Sequence, residues 1–179
     1  MKTNVLIFLL VCSFLNGISQ TGNQSDFDNF NEEKEKSAIL DVIISETENF
    51  YKRDYEGWKK CYLHSEYVFQ AWNNVDGTFD AKVGWAELDE KTGIYIQNHP
   101  VAPNSASHPK VERRNMVWKF FTPGIAFLIW DQYNSDIEMK VFNHSKETRL
   151  MEKQNGLWKV VSVASYWDYK NTIPVNTLK

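Results

Sequence analysis

Two long alternating runs flank Asn155-Gly156 in the stretch ETRLMEKQNGLWKVVSVASYWD, residues 147–168, and no other feature restricts the fold as strongly. Asn-Gly between alternating segments marks a two-residue hairpin, because both central residues of a type I′ turn take positive φ. A two-residue loop also fixes register. Arg149 then faces Ser162, Glu147 faces Ala164 and Met151 faces Val160, while Leu150 and Val161 take the other side of the sheet. A lone arginine is left on one sheet face among small side chains.

The rest of the chain supplies partners for this hairpin. Ile39, Val42, Ile43, Glu46 and Phe50 follow helical spacing, predicting an amphipathic helix that begins near Lys36 with Ser37 at its start. The segment DYEGWKKCYLHSE predicts a second short helix with Asp54 as N-cap and Trp58, Cys61 and Tyr62 inward. EYVFQAWNN reads as a strand turning near Asp76 and Gly77. Helical spacing returns at Trp85, Leu88 and Tyr95, where Gly93 lowers the propensity. A loop from His99 to Pro109 leads to the strand KVERRNMVWKFF, a turn at Pro123 and Gly124, the strand IAFLIWDQY and then the hairpin. Helices segregated against a largely antiparallel sheet make an α+β domain. A curved sheet wrapped around a long first helix is a cone, and its open end holds a pocket.

Domain organisation follows from composition. Lys2, an apolar run from Val5 to Leu15 and small or polar residues at Gly17 and Ser19 predict a signal peptide over 1–20, hence export to the periplasm or medium. A polar leader over 21–34, a domain over 35–170 and a tail over 171–179 complete the chain. Cys12 lies within the signal peptide and follows Val11, which is not the small residue of a lipoprotein cleavage site. Cys61 is then the lone mature cysteine, so stability must come from the core. Without Lys2 the chain carries 19 basic and 23 acidic residues, a net charge of −4 with no basic block. That argues against nucleic acid and against insertion in membranes once the signal is removed. His64, His99, His108 and His144 show no ligand spacing, and no phosphate loop or nucleophile elbow is present, so neither metal nor cofactor is expected. Seven Trp, eight Tyr and eleven Phe exceed what a small core needs, which places some of them around a cavity.

Three segments resemble the nuclear-transport-factor-2-like (NTF2-like) superfamily, in particular its SnoaL-like members and the association domain of calcium/calmodulin-dependent kinase. RDYEGWKKCYLHSEYVF looks like the stretch leading from the first helix into the first strand. AFLIWDQY looks like the family's Gln-Tyr strand, and ETRLMEKQNGLW is similar to its Glu-Thr-Arg hairpin. The resemblance implies a cystatin-like cone and a homodimer. It also implies that Arg149 lines a pocket able to hold a carboxylate through its planar fork. The association domain's other basic positions match Ile129 and Ser165 here, so a strongly anionic ligand is not implied. Ketosteroid isomerase, another relative, needs a carboxylate base where this chain has Gln70 and a carboxylic acid where it has Thr148 or Leu150; isomerisation by that mechanism is excluded.

The candidate site is therefore Arg149 with an aromatic wall of Trp58, Trp72, Trp85, Tyr95 and Trp167. Asp131, mid-strand among apolar residues, either pairs with Arg149, acts as a general base, or forms a structural ion pair. Three functions remain open. One is binding of a small, mostly apolar molecule with one polar or carboxylate group. The second is a cofactor-independent lyase, cyclase or isomerase with Asp131 as base. The third is a dimeric assembly module using an outer sheet face with aromatic residues such as Trp118 or Phe120.

Overall fold

The structure is a computed structural model that describes residues 27–101 and 110–178. The expected signal peptide, Cys12 and His108 lie outside the described residues. Helix α1 (Glu32–Lys52) starts earlier than the spacing of its apolar residues indicates, because the Asn31 side chain accepts from the Lys34 backbone N–H and Glu32, Glu33 and Glu35 fill the first turn. The domain therefore begins inside what reads as a leader. Its inward stripe runs Ile39, Ile43, Glu46, so an apolar helix face ends in an acid. Helix α2 (Tyr55–Cys61) is capped by Asp54, as its sequence predicts.

Six strands form one unclosed sheet in the order β2-β1-β6-β5-β4-β3. They are β1 (Phe69–Asn73), β2 (Phe79–Val83), β3 (Val111–Thr122), β4 (Ile125–Ser135), β5 (Val141–Gln154) and β6 (Leu157–Pro174). All pairs are antiparallel except β1 with β6, so the sheet is mixed. Strand β2 is absent from the sequence reading, being a short edge strand with most of its side chains exposed. Strand β6 likewise runs on to Pro174, into the expected tail. The sheet bends at irregularities in β3 after Arg114, where Asn115 takes φ 52°, and in β5–β6 beside Leu150. This curvature wraps the sheet's inner face around α1. Ile39, Ile43, Trp58, Leu88, Ile96, Leu128, Trp130 and Met151 are fully buried there.

The hairpin turn is as expected, with Asn155 at φ 52° and Gly156 at φ 80°. Met151 does face Val160, but beyond it the register slips by one residue. Val161 is bulged, Arg149 faces Val163 and Glu147 faces Ser165. The slip brings a serine hydroxyl opposite the glutamate.

Between the edge hairpin and β3 runs an irregular helix: α3 (Trp85–Leu88), a π-helical turn (Asp89–Gly93) and α4 (Ile94–Asn98). Gly93 sits here because a Cβ would come within 2.6 Å of Asp89 Oδ1 and 2.9 Å of the Tyr55 ring. The π turn buries Thr92 and aims it at β1.

Candidate functional site

A cavity of about 300 Å³ opens between α1, the π turn and the inner faces of β1, β4, β5 and β6. Its inner lining is Glu46, Gln70, Thr92, Gln132, Glu147 and Arg149, all buried, and its partly exposed rim carries Phe50, Tyr51, Trp72, Trp167 and Tyr169. A groove of about 540 Å³ along α1, α2 and the hairpin is larger, but it is a surface trough lined mainly by exposed and half-buried side chains such as Lys34, Asp41 and Lys159. Buried polar groups converge in the smaller cavity, which makes it the candidate site.

Two hydrogen-bonded clusters build the inner lining. On β5, Ser145, Glu147, Arg149 and Met151 alternate onto the inner face. Glu147 accepts from Ser145 Oγ at 2.6 Å, Ser165 Oγ at 2.6 Å and Arg149 Nη1 at 2.9 Å, so its carboxylate is well satisfied. Arg149 Nη1 also donates to the Thr148 carbonyl, and the guanidinium lies 5.0 Å from the Trp130 ring centre. Burial opposes the charge of Arg149, but the carboxylates of Glu147 and Glu46 outweigh it and hold the guanidinium above its ordinary range.

The second cluster spans helix and strand. Thr92 Oγ1 donates to Gln70 Oε1 at 2.8 Å, Gln70 Nε2 donates to Tyr62 Oη at 3.3 Å, and Tyr62 Oη donates to Glu46 Oε1 at 2.7 Å. The Tyr62 phenol is pushed far up by burial and by Glu46, so it stays a donor. Beside it, Arg113 Nη2 donates to Thr47 Oγ1 at 2.9 Å. At the rim, Asn73 clamps β6 by accepting from the Trp167 backbone N–H and donating to its carbonyl, which fixes Trp167 over the opening. Trp72 carries Lys82 Nζ 3.9 Å from its ring centre.

Of the residues singled out in the sequence, Arg149, Trp72 and Trp167 line the cavity. Three aromatic residues do not. Trp58 is fully buried among Tyr55, Tyr62 and Trp85; Trp85 itself stacks on His64 at 3.9 Å; Tyr95 is exposed, stacked on His99 and under the Arg53 guanidinium. Asp131 lies next to inward-facing Trp130 and so points off the outer face of the sheet. There it pairs with Lys146, with His144 Nε2 at 2.9 Å and with Asn115 Nδ2 at 2.8 Å, not with Arg149. Trp118 and Phe120 pack inward against the core, leaving Val117 and Phe121 outward. Glu46, Glu147, Thr92 and Gln132 were missed as site residues. The signal was available for Glu46, an acid on the inner stripe of an amphipathic helix, and for Glu147, two residues before Arg149.

The Lys146 ammonium, helped by Asn115 and His144, outweighs burial and keeps the Asp131 carboxyl well below its usual range. A depressed carboxyl stabilises the fold above about pH 4 and loses that contribution as pH falls toward its folded value. Asp131→Asn should therefore melt below wild type at pH 7, with the two melting curves converging on acidification; a constant gap down to pH 2 would refute the ion-pair role.

No family model and no curated protein sequence matches the chain. Solved structures do. An NTF-2-like protein from Shewanella oneidensis aligns with 74% of this chain and 98% of its own at 17% identity and a TM-score of 0.53. The fold is NTF2-like. The association domain of CaMKII from C. elegans shares this NTF2-like fold at 16% identity over 75% of this chain and 96% of its own, TM-score 0.56. So does a hexachlorocyclohexane dehydrochlorinase (LinA type 2), at 15% identity over 79% and 89%, TM-score 0.52. Among the described residues no group of three or more His, Cys, Asp or Glu is placed to hold a metal ion, and no helix is long and apolar enough to cross a membrane.

Proposed function

We propose that this protein binds a small, mostly apolar molecule with one polar group in the cavity of about 300 Å³, polar end inward. The observation that carries this reading is the division of the lining. Buried hydrogen-bonding side chains gather at one end and aromatic rings at the other, which suits an elongated molecule with a single polar head. The volume accommodates two to three fused rings by ordinary packing. Catalysis with Asp131 as base is not supported, because that carboxylate is on the wrong sheet face and already engaged by three donors. The expected export would place the ligand outside the cytoplasm.

Native mass spectrometry of protein purified without denaturation, with thermal shifts against sterols, aromatic polyketides and small carboxylic acids, tests the proposal. Trp72→Ala and Trp167→Ala should each weaken a hit about tenfold or more, since a lost aromatic contact exceeds about 1.4 kcal/mol. Hits that bind both variants as tightly as wild type would place binding elsewhere.

A homodimer through the outer sheet face is the companion reading. Val117, Phe121 and Tyr166 are exposed there, and one fold relative is an association domain. The same native spectra read its mass, and a monomer at all concentrations ends this reading.

A further inference from the structure

From the charges around the cavity we infer that the polar head of the ligand is a neutral hydroxyl that donates to Glu46, and not a carboxylate held by Arg149. This rests on the cavity reading above. Arg149 is the obvious anchor for an anion, yet its fork is already half used: Nη1 serves Glu147 and the Thr148 carbonyl and Trp130 lies against the guanidinium, which leaves Nη2 as the terminal nitrogen without an acceptor among the described residues. Its Nε is buried out of contact with any acceptor among the described residues, with too little accessible surface to receive a ligand atom. Glu147 in turn takes three donors.

Glu46 is different. It is only 7% exposed, it lines the cavity, and Tyr62 occupies one of its oxygens. The other oxygen takes no hydrogen bond from the described residues. A carboxylate oxygen that takes no protein donor and borders the cavity can accept one from a ligand, and a hydrogen bond to a charged group is among the stronger ones. The head group that suits this oxygen carries a proton.

Charge decides between a hydroxyl and an ammonium. Glu46, Glu147 and Arg149 line the cavity, and Arg113 stands just behind it on Thr47, within reach of both carboxylates, so two acids and two cations already offset one another before any ligand enters. A cation would add an unpaired buried charge, and an anion would meet Glu46 directly. A hydroxyl adds no charge, donates to Glu46 and can accept in return from Arg149 Nη2, whereas a carboxylate serves only the arginine and an ammonium only the acid.

The test uses one ring with three heads attached at the same position: naphthylmethanol, naphthoate and naphthylmethylammonium, titrated into the full mature protein and read by tryptophan fluorescence and calorimetry. The alcohol should bind at least about tenfold tighter than naphthoate and tighter than the ammonium, the scale expected when a hydrogen bond to a charged group replaces a like-charge contact. Glu46→Gln, which keeps the acceptor for Tyr62 but removes the charge, should bring alcohol and naphthoate within about threefold of each other. Naphthoate or the ammonium binding tightest overturns the inference and leaves the cavity reading standing. Undiminished discrimination in Glu46→Gln overturns the role of Glu46. No binding by any of the three overturns both the inference and the reading beneath it. The wild-type order alone decides if the variant does not fold.

Discussion

Arg149→Met should destabilise the protein by about 3–5 kcal/mol, the usual cost of removing one partner from a buried ion pair. The loss has little to do with the attraction itself. Glu147 is 1% exposed, and without the guanidinium its negative charge would stay buried, with two serine hydroxyls as its main compensation. Glu46, close enough to raise the Arg149 pKa, would lose a compensating cation as well. The double variant Glu147→Gln with Arg149→Met should recover most of the loss, because glutamine still accepts from a serine and carries no charge to desolvate. Urea unfolding of the single and double variants measures both values. A single variant within about 1 kcal/mol of wild type would mean that water reaches Glu147 and that the pair is not sealed by the sheet.

This expectation also separates structure from binding at the position where the sequence most invites a functional reading. A lone arginine on a sheet face of small residues reads as a ligand anchor, and Arg149 does line the cavity. What the linear pattern hides is that Glu147, two residues away, shares that face and consumes the charge. The hairpin signal fixed the turn and the pairing of Met151 with Val160, but not the bulge at Val161. VVSVAS has apolar residues at neighbouring positions, so its alternation does not mark where the register slips. That slip supplies Ser165 to Glu147.

The sequence left the role of Asp131 open between pocket and structural ion pair for a related reason. In IAFLIWDQY both faces are apolar at the start, Ala126, Leu128 and Trp130 on one side and Ile125, Phe127 and Ile129 on the other, so the period gives alternation without saying which side is inside. Only curvature around α1 decides it. Helix α1 itself was readable, and its inner stripe already contained Glu46 as the one acid among apolar positions. Strand β2 was not, because TFDAKV is short, charged and mostly exposed at a sheet edge. The fold thus follows from hydrophobic period and turn chemistry, whereas the polar cluster depends on contacts between residues as far apart as Thr92 and Gln70 or Glu46 and Tyr62.

Trp58→Ala should cost about 3–5 kcal/mol, the range for emptying a large aromatic site in a core. Trp58 is fully buried, and its ring lies 4.9 Å from Tyr62 and 5.9 Å from Trp85, so truncation opens a hole between α2, α3 and the sheet that these stiff rings cannot close. Trp58→Phe should cost far less. The indole Nε1 is buried without an acceptor among the described residues, and removing that donor offsets part of the lost packing. Because Trp58 does not line the cavity, Trp58→Phe should bind any cavity ligand with wild-type affinity, unlike Trp72→Ala and Trp167→Ala. Denaturant unfolding and probe titration on the same samples distinguish the roles. Weakened binding by Trp58→Phe at unchanged stability would return this tryptophan to the ligand wall. Unchanged binding with the large loss confined to alanine would assign it to the core, where its indirect contribution is to hold Tyr62, and through Tyr62 the orientation of Glu46.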